Sequence, residues 1–548
     1  MTRGAATEPA EAAGSLAPLR RPAFRSVWTA LLGSQLVTWS HNVGAVTLVA
    51  SLSDSPTLIA LVQTATSLPA VALSLIAGAT ADIVDRRRLV LGAQAWMTAV
   101  TAVLAALTLS DSVTVATVLA LTLALGGGVS VTIVAYQAMT PDAIAGDELP
   151  QAVALNSVAI NIARAVGPAL GGLVIVALSV GALFAIESAG VIALMVVVAR
   201  MRLPRPSAGE RESLPSALRA GARYIRFFGP ARSVLARAAT FSVCASALWA
   251  LMPVVAVGPL DLDSRGLGVL MGCIGGGALL AAALLPRVRP RLDLDLLLAI
   301  ATAGLAAGLT ALAFVRVPAL VGLALVLSGA SWLTVLSSLN TAAQRAAAGW
   351  VRARTLAAFQ LVFQGTLALG SLGWGVLTGL TDVRLALMVA VGGLLAGIVL
   401  ARRWPLRPGE NVDLSPALGW SEPDVAVDPE DRDGPVLVTL EYRIPRKRAG
   451  DFIEAMQQLG RVRRRDGAYS WDVYEDLEDP GRYLETFLVD SWKEHLRQHQ
   501  RLTVGDLELE QRVKSMHVGD APPQARHLLW ATGRAARERR RRWSPRRA

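Results

Sequence analysis

Charged residues are scarce in this chain, and the shortage is confined to one part of it. Only 17% of the 548 residues are charged, whereas a soluble domain carries about 25%. Residues 27–404 form long apolar runs, while residues 405–548 have an ordinary soluble composition. Length alone would suggest about three soluble domains. The low charge of the first part argues against that arrangement and predicts a membrane protein with a soluble tail.

Cysteines and nucleotide-binding motifs are also lacking. The two cysteines, Cys244 and Cys273, lie in apolar runs and are interpreted as packing residues, so no disulfide framework is predicted. No G-x-x-x-x-G-K-[ST] sequence occurs. We therefore expect an ion gradient to supply the energy, without ATP, cofactor or metal. Residues 1–21 contain no apolar core, which argues against a cleavable signal peptide.

Twelve apolar runs are long enough to cross a bilayer, for which a helix needs roughly 20 apolar residues. The predicted spans are 27–52, 56–81, 89–110, 113–140, 152–178, 180–201, 236–259, 266–286, 294–315, 318–342, 356–380 and 383–404. They predict an all-α polytopic protein with two six-helix halves. The predicted division is an N-terminal tail (1–26), a first half (27–201), a basic central loop (202–235), a second half (236–404), a linker (405–434), a soluble domain (435–520) and a basic tail (521–548).

The arginines indicate the orientation of these spans. If the N-terminus is cytoplasmic, the inner segments contain 25 arginines and the outer loops contain three. Because cytoplasmic loops are enriched in arginine and lysine, this bias predicts an even number of spans with both termini inside. The net charge of +11 is thereby assigned to topology, and no nucleic-acid partner is expected.

The two halves match weakly at an offset of 203 residues. The matched pairs are Gly126 with Gly329, Gln137 with Asn340, Ser157 with Gln360, Asn161 with Gln364, and Gly167 with Gly370. Two Gly-rich apolar stretches give some matches by chance, but here polar residues, which are rare in spans, recur in register. Parallel six-helix repeats are typical of one large class of transporters.

Two short motifs and one stretch of the tail carry a family resemblance. The loop after the second span contains Gly78, Asp82, Arg86 and Arg87 of a G-x-x-x-D-R-x-G-R-R pattern, with Ile83 and Asp85 departing from it. The fifth span contains Gly167, Pro168, Gly171 and Gly172, similar to the antiporter motif of drug exporters. Residues 491–501 resemble the C-terminal segment of predicted transmembrane secretion effectors. The chain thus resembles the major facilitator superfamily, in its enterobactin-exporter-like branch.

The resemblance implies alternating access by two rocking halves, efflux, and a siderophore-like or drug-like substrate. Asp82 lies at the inner end of the second span, facing the predicted start of the eleventh span in the other half. A carboxylate there is favoured by the positive end of a helix. We expect this contact to close an inner gate; the alternative is that the arginines beside it only enforce topology.

A polar stripe in the fifth span is the first candidate for substrate binding. Ser157, Asn161 and Arg164 share one helix face, and a charge at membrane depth usually faces a cavity or a partner. Arg164 is expected to neutralise an anionic substrate; a structural ion pair is the alternative. Gln360 and Gln364 are expected on the matching face of the eleventh span, without the charge.

Two titratable residues in spans are candidates for proton coupling. Glu187 is the only acidic residue well inside a span, in the sixth, and burial raises the proton affinity of such a carboxyl group. The resemblance places the sixth span outside the cavity, which favours a structural role equally. His41 lies in the first span, which lines the cavity in this family, but a lone buried histidine is more often simply hydrogen-bonded.

The tail predicts a ferredoxin-like β-α-β-β-α-β domain, with its last strand at 507–516. It resembles small domains related to antibiotic-biosynthesis monooxygenases. His495 and His499 have the i, i+4 spacing of metal ligands, but no third ligand is evident. A dimerising or regulatory role is therefore predicted, and the arginine-rich end is expected to lie on anionic lipid.

The sequence thus predicts a proton-coupled efflux transporter in a bacterial inner membrane. Its expected partners are a small-molecule substrate, protons, the lipid bilayer and a second copy bound through the C-terminal domain. Two alternatives remain open: an uptake permease of the same fold, and a membrane-tethered enzyme or sensor that acts through the tail.

Overall fold

The computed structural model describes residues 17–53, 55–83, 85–144, 148–201, 214–406, 413–417, 425, 429–430, 433–519 and 521–531, some helical positions by backbone alone. The described residues form two compact units. We call the first the helical unit; it comprises the described residues of 17–201, 236–339 and 359–405. The second, the sheet unit, comprises those of 214–235, 340–358 and 406–531.

Long helices occupy all the predicted span positions. They are α1 (Pro22–Leu52), α2 (Pro56–Ile83), α3 (Arg86–Leu109), α4 (Val115–Ala143), α5 (Leu149–Ala177), α6 (Val180–Arg200), α8 (Gly229–Val257), α9 (Ser264–Val288), α10 (Leu294–Phe314), α11 (Pro318–Arg345), α12 (Arg352–Leu380) and α13 (Val383–Leu400). In the described part of the chain, ten helices, α3–α6 and α8–α13, are long and apolar enough to cross a membrane. The largest difference from the predicted bounds is at α8, which begins at Gly229 rather than at 236.

Short polar residues begin several of these helices. The Asp85 side chain accepts hydrogen bonds from the backbone N–H groups of Arg87 and Arg88 at the start of α3. Asp263 and Asp382 cap α9 and α13 in the same way. Because the first N–H groups of a helix have no partner within it, such caps fix where each helix starts.

The glycines of the sequence repeat occupy equivalent packing positions in the two halves. Gly126 in α4 lies against the backbone of α2, and Gly329 in α11 lies against the backbone of α9. Gly167 in α5 packs on α1, and Gly370 in α12 packs on α8. A Cβ atom at any of the four would crowd its neighbour. The offset of 203 residues therefore reflects matching close contacts between helices.

Several contacts join the halves of the helical unit, among them two at the end where α1 terminates. A Cβ atom on Gly172 in α5 would lie 2.9 Å from the Cα atom of Gly268 in α9. The Thr57 hydroxyl at the start of α2 donates to the Gly375 carbonyl of α12 at 2.9 Å. These contacts close the helical unit at that end.

The sheet unit contains a four-stranded antiparallel sheet with the order β2-β3-β1-β4. Its elements are β1 (Val436–Arg443), α14 (Ala449–Asp466), β2 (Ala468–Glu475), β3 (Arg482–Val489), α15 (Trp492–Arg501), α16 (Val504–Lys514) and β4 (Ala525–Leu529). The prediction of a last strand at 507–516 was wrong, because a Thr503–Asp506 capping box starts a helix there. The last strand, β4, which pairs with β1, lies beyond residue 520, in the segment predicted to be a basic tail.

The sheet unit also includes α7 (Leu214–Phe227), from the segment predicted to be a basic loop. Tyr224 in α7 is buried, and its hydroxyl donates to the Ala346 carbonyl and accepts from the Ala348 N–H, both at 3.1 Å. Burial raises the pKa of Tyr224 to about 12. The Arg223 guanidinium contacts Glu494 of α15 at 2.7 Å. The central segment is therefore packed on the residues of the C-terminal domain.

Candidate functional site

The glycine motif of α5 fixes the position of α1. A Cβ atom on Gly167 would lie 2.7 Å from the Cβ of Trp39, and one on Gly171 would lie 3.0 Å from the carbonyl oxygen of Ser40. The Ser40 hydroxyl donates to the Gly167 carbonyl at 2.8 Å, close to the point where Pro168 removes one helical donor. Gly172 faces the other half, as described above. The motif thus packs α1 onto α5 within the first half and joins the halves at one glycine.

His41 and Glu187, singled out separately in the sequence, are paired in the structure. The His41 Nδ1 atom lies 3.0 Å from Glu187 Oε2, and both side chains are buried, at 1% and 3% exposure. His41 Nε2 lies 3.4 Å from the Thr122 hydroxyl of α4. The second carboxylate oxygen of Glu187 has no hydrogen-bond partner among the described residues. This pair can share or exchange a proton.

Arg164 lies against an aromatic ring in the same half. Its guanidinium carbon is 5.1 Å from the centre of the Trp39 ring, a distance at which a cation is attracted to the ring face. Ser157 and Asn161 lie on α5, but their side chains are outside the described residues. The predicted pairing face on α12 has Gln360 exposed and Gln364 half-buried.

A chain of aromatic rings continues from Trp39 into the second half. Trp39 lies 5.6 Å from Trp249 in α8, Trp249 lies 5.5 Å from Trp332 in α11, and Trp332 lies 5.9 Å from Phe363 in α12. Phe241 and Phe359 extend this group at 5.8 and 6.0 Å. We call Trp39, Trp249, Trp332 and Phe363 the aromatic chain.

The sequence interpretation missed the aromatic chain, although a signal was present. Tryptophans of membrane proteins concentrate at the ends of spans, where the ring meets the headgroups. Trp39 lies near the middle of the predicted span 27–52, and Trp332 lies near the middle of 318–342. Tryptophan at that depth is unusual, and its position could have drawn attention.

The predicted gate is described only in part. Gly78 and Asp82 lie on α2, but their side chains are outside the described residues. Arg86 begins α3, and Arg87 donates to the carbonyl of Ala199 in α6. Asp85, which departs from the family pattern, caps α3. The departure therefore has a structural role.

A cavity of about 840 Å³ is lined mainly by apolar side chains of α2, α3 and α4, with Arg88 also on its wall. Leu68 and Trp96 on its wall are about half exposed, and the Trp96 indole N–H donates to the Ala124 carbonyl at 2.8 Å. None of the proposed coupling residues lines it. A groove with this lining suits acyl chains, and we do not assign the transported molecule to it.

In the sheet unit, His527 of β4 joins His495 and His499. The ring centres of His499 and His527 lie 4.9 and 4.8 Å from that of His495. Within the described ranges, no group of three His, Cys, Asp or Glu side chains is arranged to hold a metal ion. Burial, together with the neighbouring histidines, lowers the pKa of His495 to about 3. At neutral pH, His495 is therefore an uncharged ring packed between two other histidines.

The many apolar helices and the matching contacts of the two halves define a multi-pass membrane protein of the transporter class. The chain belongs to the transmembrane secretion effector family of the major facilitator superfamily, whose family model matches residues 13–535. Family membership makes it a transporter rather than an enzyme.

Similar solved structures agree on the fold. A mutant form of the nucleoside transporter NupG has a TM-score of 0.56 at 14% identity over 70% of this chain and 98% of its own. A bacterial homolog of the human lysosomal transporter Spinster, inward-facing and occupied, has a TM-score of 0.57 at 13% identity, over 71% of this chain and 98% of its own. A D-xylose-proton symporter has a TM-score of 0.56 at 12% identity, over 70% of this chain and 96% of its own. At these identities the likeness concerns the fold alone. No curated protein sequence matches this chain significantly.

Proposed function

We propose that this protein is a proton-coupled exporter of an amphipathic small molecule and works by alternating access between its two halves. The substrate class is siderophore-like or drug-like. All twelve long helices cross a bacterial inner membrane in this proposal, with both termini in the cytoplasm, and Gly78, Asp82, Arg86 and Arg87 form the inner gate.

The observation that carries proton coupling is the buried pair of His41 and Glu187. A carboxylate in a low-dielectric interior is costly unless its charge is compensated. Here one oxygen contacts His41 and the other has no described partner, so the group has both a proton donor beside it and a place to accept a second proton. Proton binding would break the ion pair and change the packing of α1 against α6.

Export is favoured by the glycine motif of α5. Gly172 meets Gly268 of the other half without room for a side chain, and such a seal would limit leakage across a closed exporter. An uptake permease with the same fold remains the main alternative.

The sheet unit is proposed to have a ferredoxin-like fold, since a β2-β3-β1-β4 antiparallel order suits the predicted β-α-β-β-α-β pattern. Its role is regulation, or pairing with a second copy. An enzyme or sensor in this unit is the second alternative.

The test uses inside-out vesicles, an imposed proton gradient, and a panel of siderophore-like and drug-like compounds. We expect wild type to accumulate its substrate, and Glu187→Gln to lose gradient-driven accumulation. Exchange of labelled for unlabelled substrate at equal pH should persist in this variant, because it needs binding and rocking but no proton transfer. Glu148→Gln is the matched control, because Glu148 pairs with Arg21 at 2.9 Å at a partly exposed helix end.

Three results would count against the proposal. Normal gradient-driven accumulation by Glu187→Gln would make the His41–Glu187 pair structural. Accumulation only in right-side-out vesicles would favour the permease. If no compound were transported while the full chain turned over a substrate through its tail, the result would favour the enzyme alternative.

A further inference from the structure

We propose that the aromatic chain and Arg164 form the binding site for the transported molecule, and that this site selects aromatic carboxylates. The inference rests on the proposed transport function and specifies its substrate class. Four features of the described residues support it: the cation, the rings, the contact between halves, and two indole N–H groups.

Arg164 supplies the charge. An arginine near mid-span is expensive and is tolerated where it faces an anion, a cavity or a polar partner. Its guanidinium carbon lies 5.1 Å from the centre of the Trp39 ring, which places the charge at one end of the aromatic chain. Guanidinium groups bind carboxylates through two parallel hydrogen bonds. A ligand with a carboxylate next to an aromatic ring could contact Arg164 and the aromatic chain together.

The rings supply shape selection. Successive centroids of the aromatic chain are 5.5–5.9 Å apart, in tilted or edge-to-face arrangements. These are the distances and angles that aromatic pairs prefer. An aromatic ligand inserted between two of the rings would make the same kind of contact with each of them.

One link of the chain joins the two halves. Trp39 belongs to α1 in the first half, and Trp249 belongs to α8 in the second half. Alternating access requires the halves to separate on one side and then on the other. A ligand ring between Trp39 and Trp249 would replace their contact, so binding would be coupled to the rocking motion.

Two indole N–H groups distinguish the aromatic chain from an ordinary packed core. Trp249 and Trp332 are 7% and 4% exposed, yet their Nε1 atoms have no hydrogen-bond acceptor among the described residues. Leaving a buried donor unpaired is costly, so a purely structural core is not expected to keep two of them. Elsewhere in the helical unit the indole N–H groups of Trp28, Trp96 and Trp374 each donate to a backbone carbonyl at 2.8 Å. Oxygen acceptors on the ligand would satisfy the two groups.

The test measures equilibrium binding to the full chain in lipid nanodiscs, without a proton gradient. The probe is 2-naphthoate. Two matched compounds isolate its features: 2-naphthamide keeps the rings without the charge, and decahydro-2-naphthoate keeps the charge without the aromatic faces. We expect 2-naphthoate to bind more tightly than either.

Three substitutions then assign the contacts. Trp249→Phe and Trp332→Phe keep a ring and remove the N–H, so each should weaken 2-naphthoate binding about five- to tenfold. Arg164→Gln should weaken it about ten- to a hundredfold and abolish the preference over 2-naphthamide. Trp96 lies on the wall of the apolar cavity formed by α2, α3 and α4, and its indole N–H already donates to the Ala124 carbonyl. Trp96→Phe should therefore bind 2-naphthoate like wild type.

The outcomes separate this inference from the proposed function. Equal binding of the three compounds, or wild-type affinity in both tryptophan variants, would overturn the site even if gradient-driven export is observed. Selective 2-naphthoate binding that is lost in these variants would support the site even if Glu187→Gln shows that protons are not coupled.

Discussion

Two buried carboxyl groups, Glu485 in the sheet unit and Glu187 in the helical unit, have different hydrogen-bonding environments. In the sheet unit, Arg463 contacts Glu485 at 3.2 Å and Glu510 at 3.4 Å, and all three side chains are at most 4% exposed. The Tyr442 hydroxyl and the Trp471 indole also donate to Glu485. In the helical unit, the buried Glu187 has one described contact and one unpaired oxygen.

This difference distinguishes a buried polar group with a structural role from one that can bind a ligand or a proton. A buried charge whose hydrogen-bonding capacity is filled holds one arrangement and has nothing left to bind. A buried polar group with capacity to spare costs stability, and it persists where a ligand or a proton uses it. Glu187, Trp249 and Trp332 in the helical unit are of the second kind. The following predictions test that comparison, beginning with the largest expected effect.

Removing Arg463 should damage the sheet unit most. Although burial opposes its charge, Glu485 and Glu510 raise the pKa of Arg463. Arg463→Met therefore leaves the buried Glu485 without its cation and leaves Glu510 with Lys514, at 2.7 Å. Breaking a buried pair from one side costs about 3–5 kcal/mol. Hydrogen exchange of β1, β3 and α14 in the full chain should show this loss as faster exchange.

Arg482→Met is the control for that experiment. Arg482 pairs with Glu441 at 2.9 Å and with Asp476 at 2.7 Å, but all three side chains are partly exposed, so the expected loss is much smaller. Equal effects of the two substitutions would contradict the distinction between filled buried networks and exposed pairs.

Acidification should weaken the sheet unit through His495, whose buried Nε2 atom has no hydrogen-bond partner among the described residues. Its pKa is lowered to about 3 by burial first, then by His499 and His527, with a small opposing contribution from Gln498. An unfolded histidine has a pKa of about 6.5. The free energy of unfolding is therefore fully retained above pH 6.5 and falls as the pH drops toward 3. At pH 5 the loss should be about 2 kcal/mol.

Hydrogen exchange of α15, corrected for intrinsic rates and compared at pH 7 and pH 5, measures this effect. His495→Phe keeps a ring against Trp492, whose centre lies 5.5 Å from that of His495, and should remove most of the pH dependence. His517→Phe, outside the cluster, should leave the dependence in place. A His495→Phe variant as acid-sensitive as wild type would place the effect in another group.

The fold was largely predictable because hydropathy acts locally. Each apolar run became a helix at nearly the predicted residues, and the glycine matches at an offset of 203 correspond to equivalent contacts. The errors came from the soluble part, where the local pattern was ambiguous. Residues 507–516 contain apolar residues that suit a strand, but the Thr503–Asp506 capping box starts a helix there.

The candidate site was predicted residue by residue but not as an arrangement. Arg164, His41 and Glu187 stood out because charge is rare in spans. Their partners did not. Trp39 is 125 residues from Arg164 and Thr122 is 81 residues from His41, so each pair meets only when helices pack. The sequence also contains no sign of whether an indole N–H will find an acceptor.

The smallest expected effect on stability is that of Trp249→Phe in the helical unit. The substitution removes a buried N–H that has no described acceptor, which relieves a desolvation cost of about 1–3 kcal/mol. The smaller ring loses some packing against Trp39 and Trp332, which offsets that gain. Thermal unfolding of the ligand-free full chain should therefore change by no more than about 1 kcal/mol in either direction. Trp374→Phe, which removes a 2.8 Å hydrogen bond from the indole to the Val243 carbonyl, should be the more destabilising of the two. If Trp249→Phe destabilised the protein more than Trp374→Phe, the Trp249 N–H would already have a partner, and the contrast between Glu485 and the unpaired groups of the helical unit would not extend to Trp249.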